Sequence, residues 1–216
     1  KMKLVVPTVT ATKLSDYEEQ TELVASASNF VHIDLSEPAF NGADQLISYQ
    51  EAYLEPVLTS SVHLMYQDPI SAVEHFLSLS EPPKMIILQV ESDSESLLAA
   101  IKLIHDSPSL LGLAILQSSH TADYSALLSM ADQALIFSGS LGKHGGVADL
   151  SLTTKIDELK KIKTGIEVAW DGGINRSNIE ELSKAGVDVF YVGGAIHSAH
   201  NPAEEVRLLQ SLAENG

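Results

Sequence analysis

Met85-Ile-Ile-Leu-Gln-Val90, a helical stretch opened by Ser92-Asp-Ser-Glu95, and Leu113-Ala-Ile-Leu-Gln117 together decide the fold of this chain. The two outer runs are almost continuously apolar, as strands buried on both faces of a parallel sheet are. Between them Leu97, Leu98, Ala100, Ile101 and Ile104 make one apolar stripe at helical spacing. The unit reads strand, helix, strand. Working outward, further strands are predicted at residues 4–9, 30–35, 62–66, 134–137, 166–170 and 189–192. Helical signals recur between them. Ile156, Leu159 and Ile162 form a stripe that ends among Lys160, Lys161 and Lys163, where cations suit the helix dipole. Asn178 precedes Ile179-Glu-Glu-Leu182 and Gly186 follows as a stop, while Pro202 sits in the first turn of the last helix. Residues 38–56 are expected to hold a helix as well, in a less defined pattern. Eight strands alternating with helices imply a parallel sheet, closed as a (β/α)8 TIM barrel or open and doubly wound, and the count favours the barrel. No linker composition divides the 216 residues, so one domain is expected.

Composition narrows the function. With 13 basic and 29 acidic side chains the net charge is −16, which argues against nucleic acid and acidic membrane surfaces as partners. Absence of cysteine excludes disulfides, thiolate metal sites and cysteine nucleophiles. No apolar run reaches the roughly 20 residues of a membrane span, and Lys1-Met-Lys3 leads directly into a strand without a signal-peptide pattern. A cytoplasmic protein is the expectation.

In a barrel the chemistry lies at the carboxyl ends of the strands. The second strand carries His32-Ile-Asp34, and alternation places both polar side chains on one face, inward if Ile33 faces the helices. His63 lies on the third strand and Asp171 closes the seventh. Two imidazoles and two carboxylates from three strands would suit Zn²⁺, Fe²⁺ or Mn²⁺. Taken singly, a strand histidine is ordinarily core and an Asp before Gly-Gly ordinarily forms a turn. Asp34, inside an apolar run, needs a metal, a proton or a partner. Glycines cluster after the last three strands: Gly142, Gly145 and Gly146, then Gly172-Gly173, then Gly193-Gly194. They read either as tight turns or as a phosphate cradle of backbone N–H groups.

These residues also carry a resemblance. Val31-His-Ile-Asp-Leu35, Val62-His-Leu-Met65, Asp171-Gly-Gly-Ile-Asn175, Ala185-Gly-Val-Asp188 and Val192-Gly-Gly-Ala-Ile196 resemble ribulose-phosphate 3-epimerase almost end to end, from Pro7-Thr8 onward. The resemblance implies a (β/α)8 barrel that inverts C3 of a ketose phosphate with one divalent metal ion, zinc first and iron, manganese or cobalt as alternatives. It implies His32, Asp34, His63 and Asp171 as ligands, with Asp34 and Asp171 also as the acid/base pair. Thr8, His63, Gly142, Gly145, Gly172, Gly173, Gly193 and Gly194 would contact the phosphorylated sugar, and a homo-oligomer, dimer or hexamer, would be expected.

Epimerisation removes a proton from one face of a carbon and returns one to the other, so two carboxylates, one ionised and one protonated, answer its need. The sequence departs from the family around that set. Ser36 and Phe137 stand where methionines are usual, Gln89 where a histidine is usual, Leu116-Gln117 where Asn-Pro is usual, and the sixth loop reads Ser140-Leu-Gly-Lys-His-Gly-Gly146. The readings to be weighed are D-ribulose 5-phosphate 3-epimerase, an epimerase of another ketose phosphate such as a ketohexulose 6-phosphate, and a non-catalytic phosphosugar-binding barrel. The strand interiors offer no lysine for a Schiff base.

Overall fold

Runs of Val, Ile and Leu with a two-residue alternation form eight strands: β1 (Leu4–Thr10), β2 (Phe30–Ser36), β3 (Thr59–Met65), β4 (Met85–Gln89), β5 (Leu110–Leu116), β6 (Gln133–Phe137), β7 (Glu167–Asp171) and β8 (Val189–Val192). In the computed structural model, which describes residues 2–142 and 146–216, they pair in parallel and in sequence order. β8 pairs back on β1, from Leu4↔Val189 to Pro7↔Val192, and closes the barrel. Lys143, His144 and Gly145 lie outside the described residues, and with them the phosphate role expected of Gly145.

Alternation separates two packed layers. One set of strand residues, including Val5, Val9, Val31, Ile33, Val62, Leu64, Trp170 and Phe190, packs in one cluster with helix residues. Trp170 is fully buried there, as its position next to Asp171 on the opposite strand face requires, and its indole N–H donates to the Gly172 carbonyl at 3.1 Å. The other set fills the barrel with Val6, Met85, Ile87, Ala114, Leu135, Ala169, Val189 and Tyr191. Gly112 belongs to this tight interior, where a Cβ would come within 2.6 Å of Ile87 Cγ1.

The helices are α1 (Leu14–Ala27), α2 (Ile70–Leu77), α3 (Ser94–His105), α4 (Ser125–Leu128), α5 (Thr154–Ile162), α6 (Ile179–Ala185), α7 (Gly194–His197) and α8 (Pro202–Glu214). Their ends follow the capping chemistry legible in the chain. Asp93 accepts the N–H groups of Glu95 and Ser96 at the start of α3, and Asn201 accepts that of Glu204 at the start of α8. Gly186 ends α6 in the left-handed conformation at φ 110°. Among the described residues no helix is long and apolar enough to cross a membrane.

Three expectations need correction. β3 begins at Thr59 rather than 62, because a full ladder with β2, from Phe30↔Thr59 to Ser36↔Met65, holds the polar Thr59-Ser-Ser61 segment in the sheet. β5 likewise starts at Leu110 rather than 113. Between β2 and β3 there is no helix at all: residues 37–58 run as turns and irregular chain. Asn41 and Gly42 adopt φ 48° and 69°, values that interrupt a right-handed helix, and Pro38 and Pro56 bracket the segment. Instead the segment is strapped across the barrel mouth. Ser36 Oγ donates to the Asp44 carbonyl at 2.5 Å, Ile47 N–H to Ala11 O at 2.9 Å, and Asp44 N–H to Leu141 O at 3.4 Å. Phe40 and Leu46 pack there against Met65 and Phe137.

Candidate metal and proton-transfer site

The interior register brings the sequence-predicted polar residues together. His32 and Asp34 share the inward face of β2, His63 stands opposite Asp34 on β3, and Asp171 ends β7 beside Tyr191 of β8. One ligand atom from each of His32, Asp34, His63 and Asp171 lies within 4.8 Å of all the others, and all four residues are buried. Asp34 Oδ1 is 3.1 Å from His63 Nδ1 and 3.3 Å from His32 Nε2, while its Oδ2 accepts the Thr10 hydroxyl at 2.8 Å.

A second set of side chains fixes these groups. Ser61 Oγ is 2.9 Å from His32 Nδ1, and Gln89 Nε2 is 2.9 Å from His63 Nε2. Tyr191 stacks on the His32 ring at a centroid distance of 3.7 Å and donates its hydroxyl to Gln133 Oε1 at 2.8 Å. Thr10, Ser61 and Tyr191 did not emerge from the sequence, although each had a signal. Thr10 and Ser61 lie two residues from Thr8 and His63 on the same strand faces, and Tyr191 lies two residues before Gly193.

Electrostatics differentiate the two carboxylates. Burial raises the Asp34 pKa, but the imidazoles of His32 and His63 outweigh that and hold it below the usual carboxylate range. Asp171 has no such partners: burial, reinforced by the Asp34 charge, pushes it well above that range despite the Gly172 backbone N–H. Burial also lowers the His32 pKa, against the pull of Asp34. The donor set accommodates a divalent cation. His32 Nε2, enclosed and without a geometric hydrogen-bond partner, faces Asp34 Oδ1 at 3.3 Å, so an imidazole nitrogen and a carboxylate oxygen converge on one buried point with two further ligand groups, a set that fits a cation. Nitrogen and carboxylate oxygen donors together suit Zn²⁺ and its first-row neighbours.

Above the cluster opens a cleft whose walls include Thr8, Thr10, Asp34, Met65, Phe137, Asp171 and Tyr191. Its rim includes Gly142, Gly172, Gly173, Gly193 and Gly194. His32 and His63 do not reach it; they are fully buried beneath. Three of the rim glycines have steric reasons of their own. At φ 71°, 111° and 70°, a Cβ on Gly142, Gly172 or Gly173 would approach Asp44 O, Gly139 N or Ala148 N to 2.4, 2.3 or 2.1 Å. Gly193 caps α7, whose His197 holds its ring Nε2 2.6 Å from the Thr8 carbonyl. Among the other histidines, His105, His120 and His200 are exposed, and His75 packs half-buried against Tyr49 and Phe76.

A closed (β/α)8 barrel with a buried imidazole–carboxylate cluster beneath a glycine-rimmed cleft defines a barrel enzyme with a candidate metal centre at its carboxyl end. Residues 4–197 match the model of the ribulose-phosphate 3 epimerase family, and the chain belongs to that family of carbohydrate isomerases. It is 24% identical over 219 residues to the ribulose-phosphate 3-epimerase of Mycobacterium leprae, covering 97% of this chain and 95% of that one. To that of Helicobacter pylori strain J99 it is 26% identical over 220 residues, covering 97% and 98%. Among solved structures, the 3-keto-L-gulonate-6-phosphate decarboxylase of Vibrio cholerae superposes with a TM-score of 0.71 at 15% identity, covering 99% and 98%. The 3-hexulose-6-phosphate synthase of Salmonella typhimurium gives 0.69 at 16% identity over the whole of both chains. These two share the fold.

Proposed function

We propose that this chain is a metal-dependent 3-epimerase of a ketose phosphate, interconverting D-ribulose 5-phosphate and D-xylulose 5-phosphate, with Asp34 and Asp171 as the proton-transfer pair. One observation carries the reading: the carboxylates of Asp34 and Asp171, from β2 and β7, open into the same cleft and share one cluster with two imidazoles. The names of the Mycobacterium leprae and Helicobacter pylori relatives support it.

In this account one aspartate removes the C3 proton from one face of the sugar, giving a planar enediolate, and the other returns a proton to the opposite face. The low pKa of Asp34 and the high pKa of Asp171 suit one ionised and one protonated partner at the start of a turnover. His32, Asp34, His63 and Asp171 would hold the cation, whose positive charge would stabilise an oxyanion as it develops. Ser61, Gln89 and Thr10 orient the groups around it. Thr8 is the wall residue assigned to a sugar hydroxyl, and the rim at Gly142, Gly172, Gly173, Gly193 and Gly194 is assigned to the phosphate through backbone N–H groups. A second reading, a ketohexulose 6-phosphate as substrate, draws on the Phe137 side chain in the cleft wall and on Ser36, which is buried beside the strap instead of facing the sugar.

The test is to incubate the protein with D-ribulose 5-phosphate and Zn²⁺, Mn²⁺, Fe²⁺ or Co²⁺ and follow D-xylulose 5-phosphate by NMR. Formation of the epimer supports the first reading. Inertness toward the pentulose with turnover of a ketohexulose 6-phosphate selects the second. Inertness toward all of them contradicts both and leaves a phosphosugar-binding barrel.

A further inference from the structure

We infer that Gln89 decides which ring nitrogen of His63 is available to a cation, and that its carboxamide turns over when the cation enters. The inference rests on the reading of the His32, Asp34, His63 and Asp171 cluster as a metal site. Gln89 is the last residue of β4 and is fully buried. Its Nε2 faces His63 Nε2 at 2.9 Å, and its Oε1 is enclosed with no hydrogen-bond partner.

An amide nitrogen only donates, so in this arrangement His63 Nε2 is the acceptor and the ring hydrogen sits on Nδ1. From there it is donated to Asp34 Oδ1, 3.1 Å away. Such a ring offers the cluster no electron pair. A cation between Asp34 and His63 needs the Nδ1 lone pair, and the ring hydrogen must then move to Nε2, which needs an acceptor. Around His63 Nε2 that acceptor is already built: Gln89 Oε1, after the carboxamide turns about its last bond. Nitrogen and oxygen ends of a carboxamide are close to equal in size, so the pocket admits both orientations. Each leaves one amide atom unpaired, which makes the exchange nearly symmetrical and easily tipped by a cation. Gln89 is thus a positioning residue that acts through His63.

The tautomer of His63 can be read directly from ¹⁵N-histidine NMR of the wild-type protein, metal-free and loaded with Zn²⁺. Hydrogen on Nδ1 without zinc and on Nε2 with zinc is the expected result; hydrogen on Nε2 in both states overturns the inference. Competition titration with Zn²⁺ supplies the second readout. Gln89→Met, similar in shape but with only a weakly accepting thioether for Nε2–H, should weaken zinc binding about 10- to 100-fold. Gln89→Glu, which only accepts, should place the hydrogen on Nε2 before zinc is added. Zinc binding by Gln89→Met as tight as wild type refutes the inference and leaves the metal site standing. Failure of the wild type to bind zinc at all overturns both.

Discussion

The floor and the rim of the cleft are built on different principles. The floor is made of strand side chains: His32, Asp34, His63 and Asp171 lie on β2, β3 and β7, and each strand is held by a ladder on both sides. Its supports, Ser61, Gln89 and Tyr191, come from strands as well. By contrast the rim is made of backbone crossings. The strap of residues 37–58 is tied to Ala11 and Leu141, and Gly142, Gly172 and Gly173 stand where another backbone passes within contact of the missing Cβ. A floor set by alternation keeps its chemistry as long as the barrel closes. A rim set by distant contacts is free to change, and with it the shape of the substrate that fits.

Four substitutions probe this division. The largest effect is expected at the floor: Asp171→Asn should keep the barrel by circular dichroism and lower turnover by about 10³-fold or more, the scale of a lost proton-transfer group. Near-wild-type turnover would remove Asp171 from the pair. Next comes Gly173→Ala on the rim, where a Cβ would meet Ala148 N at 2.1 Å on a backbone at φ 70°. It should cost about 1–3 kcal/mol in urea unfolding, and an unchanged midpoint would show that the crossing gives way. Ser61→Ala removes the partner of His32 Nδ1 and should weaken Zn²⁺ binding about 10-fold, with little change in stability. Equal affinity would mean that Tyr191 stacking alone orients the ring. The smallest effect belongs to Ser36→Ala, which cuts the strap's bond to Asp44. A loss of about 1 kcal/mol and a raised KM with kcat intact are expected; a fall in kcat alone would place the strap in the chemistry rather than in substrate binding.

How much could be read from the chain follows the same line. Strand residues and the four cluster residues were legible because burial on both faces writes a nearly continuous apolar run, in which His32 and Asp34 stand out. Ser61 was hidden because β3 opens with Thr59-Ser-Ser61, polar residues held in the sheet by the β2 ladder rather than by their own propensity. The segment 38–56 suggested a helix, yet Asn41-Gly42 and contacts to distant carbonyls determine its course, and no local pattern records those contacts. The rim glycines were visible, but their reason was not. Backbone crossings at Gly142, Gly172 and Gly173 require glycine whether or not a phosphate binds.

The central claim is proton transfer at C3 between two carboxylates, and the hydrogen isotope at C3 tests it most directly. Zinc-loaded protein would convert D-ribulose 5-phosphate in D2O, with NMR following C3 of substrate and product from the earliest turnovers. The two-aspartate account predicts D-xylulose 5-phosphate that carries solvent deuterium at C3 from the start, while the remaining substrate gains it more slowly. Product that retains the substrate's own hydrogen at C3 would contradict the account, since a single group would then have carried the proton across.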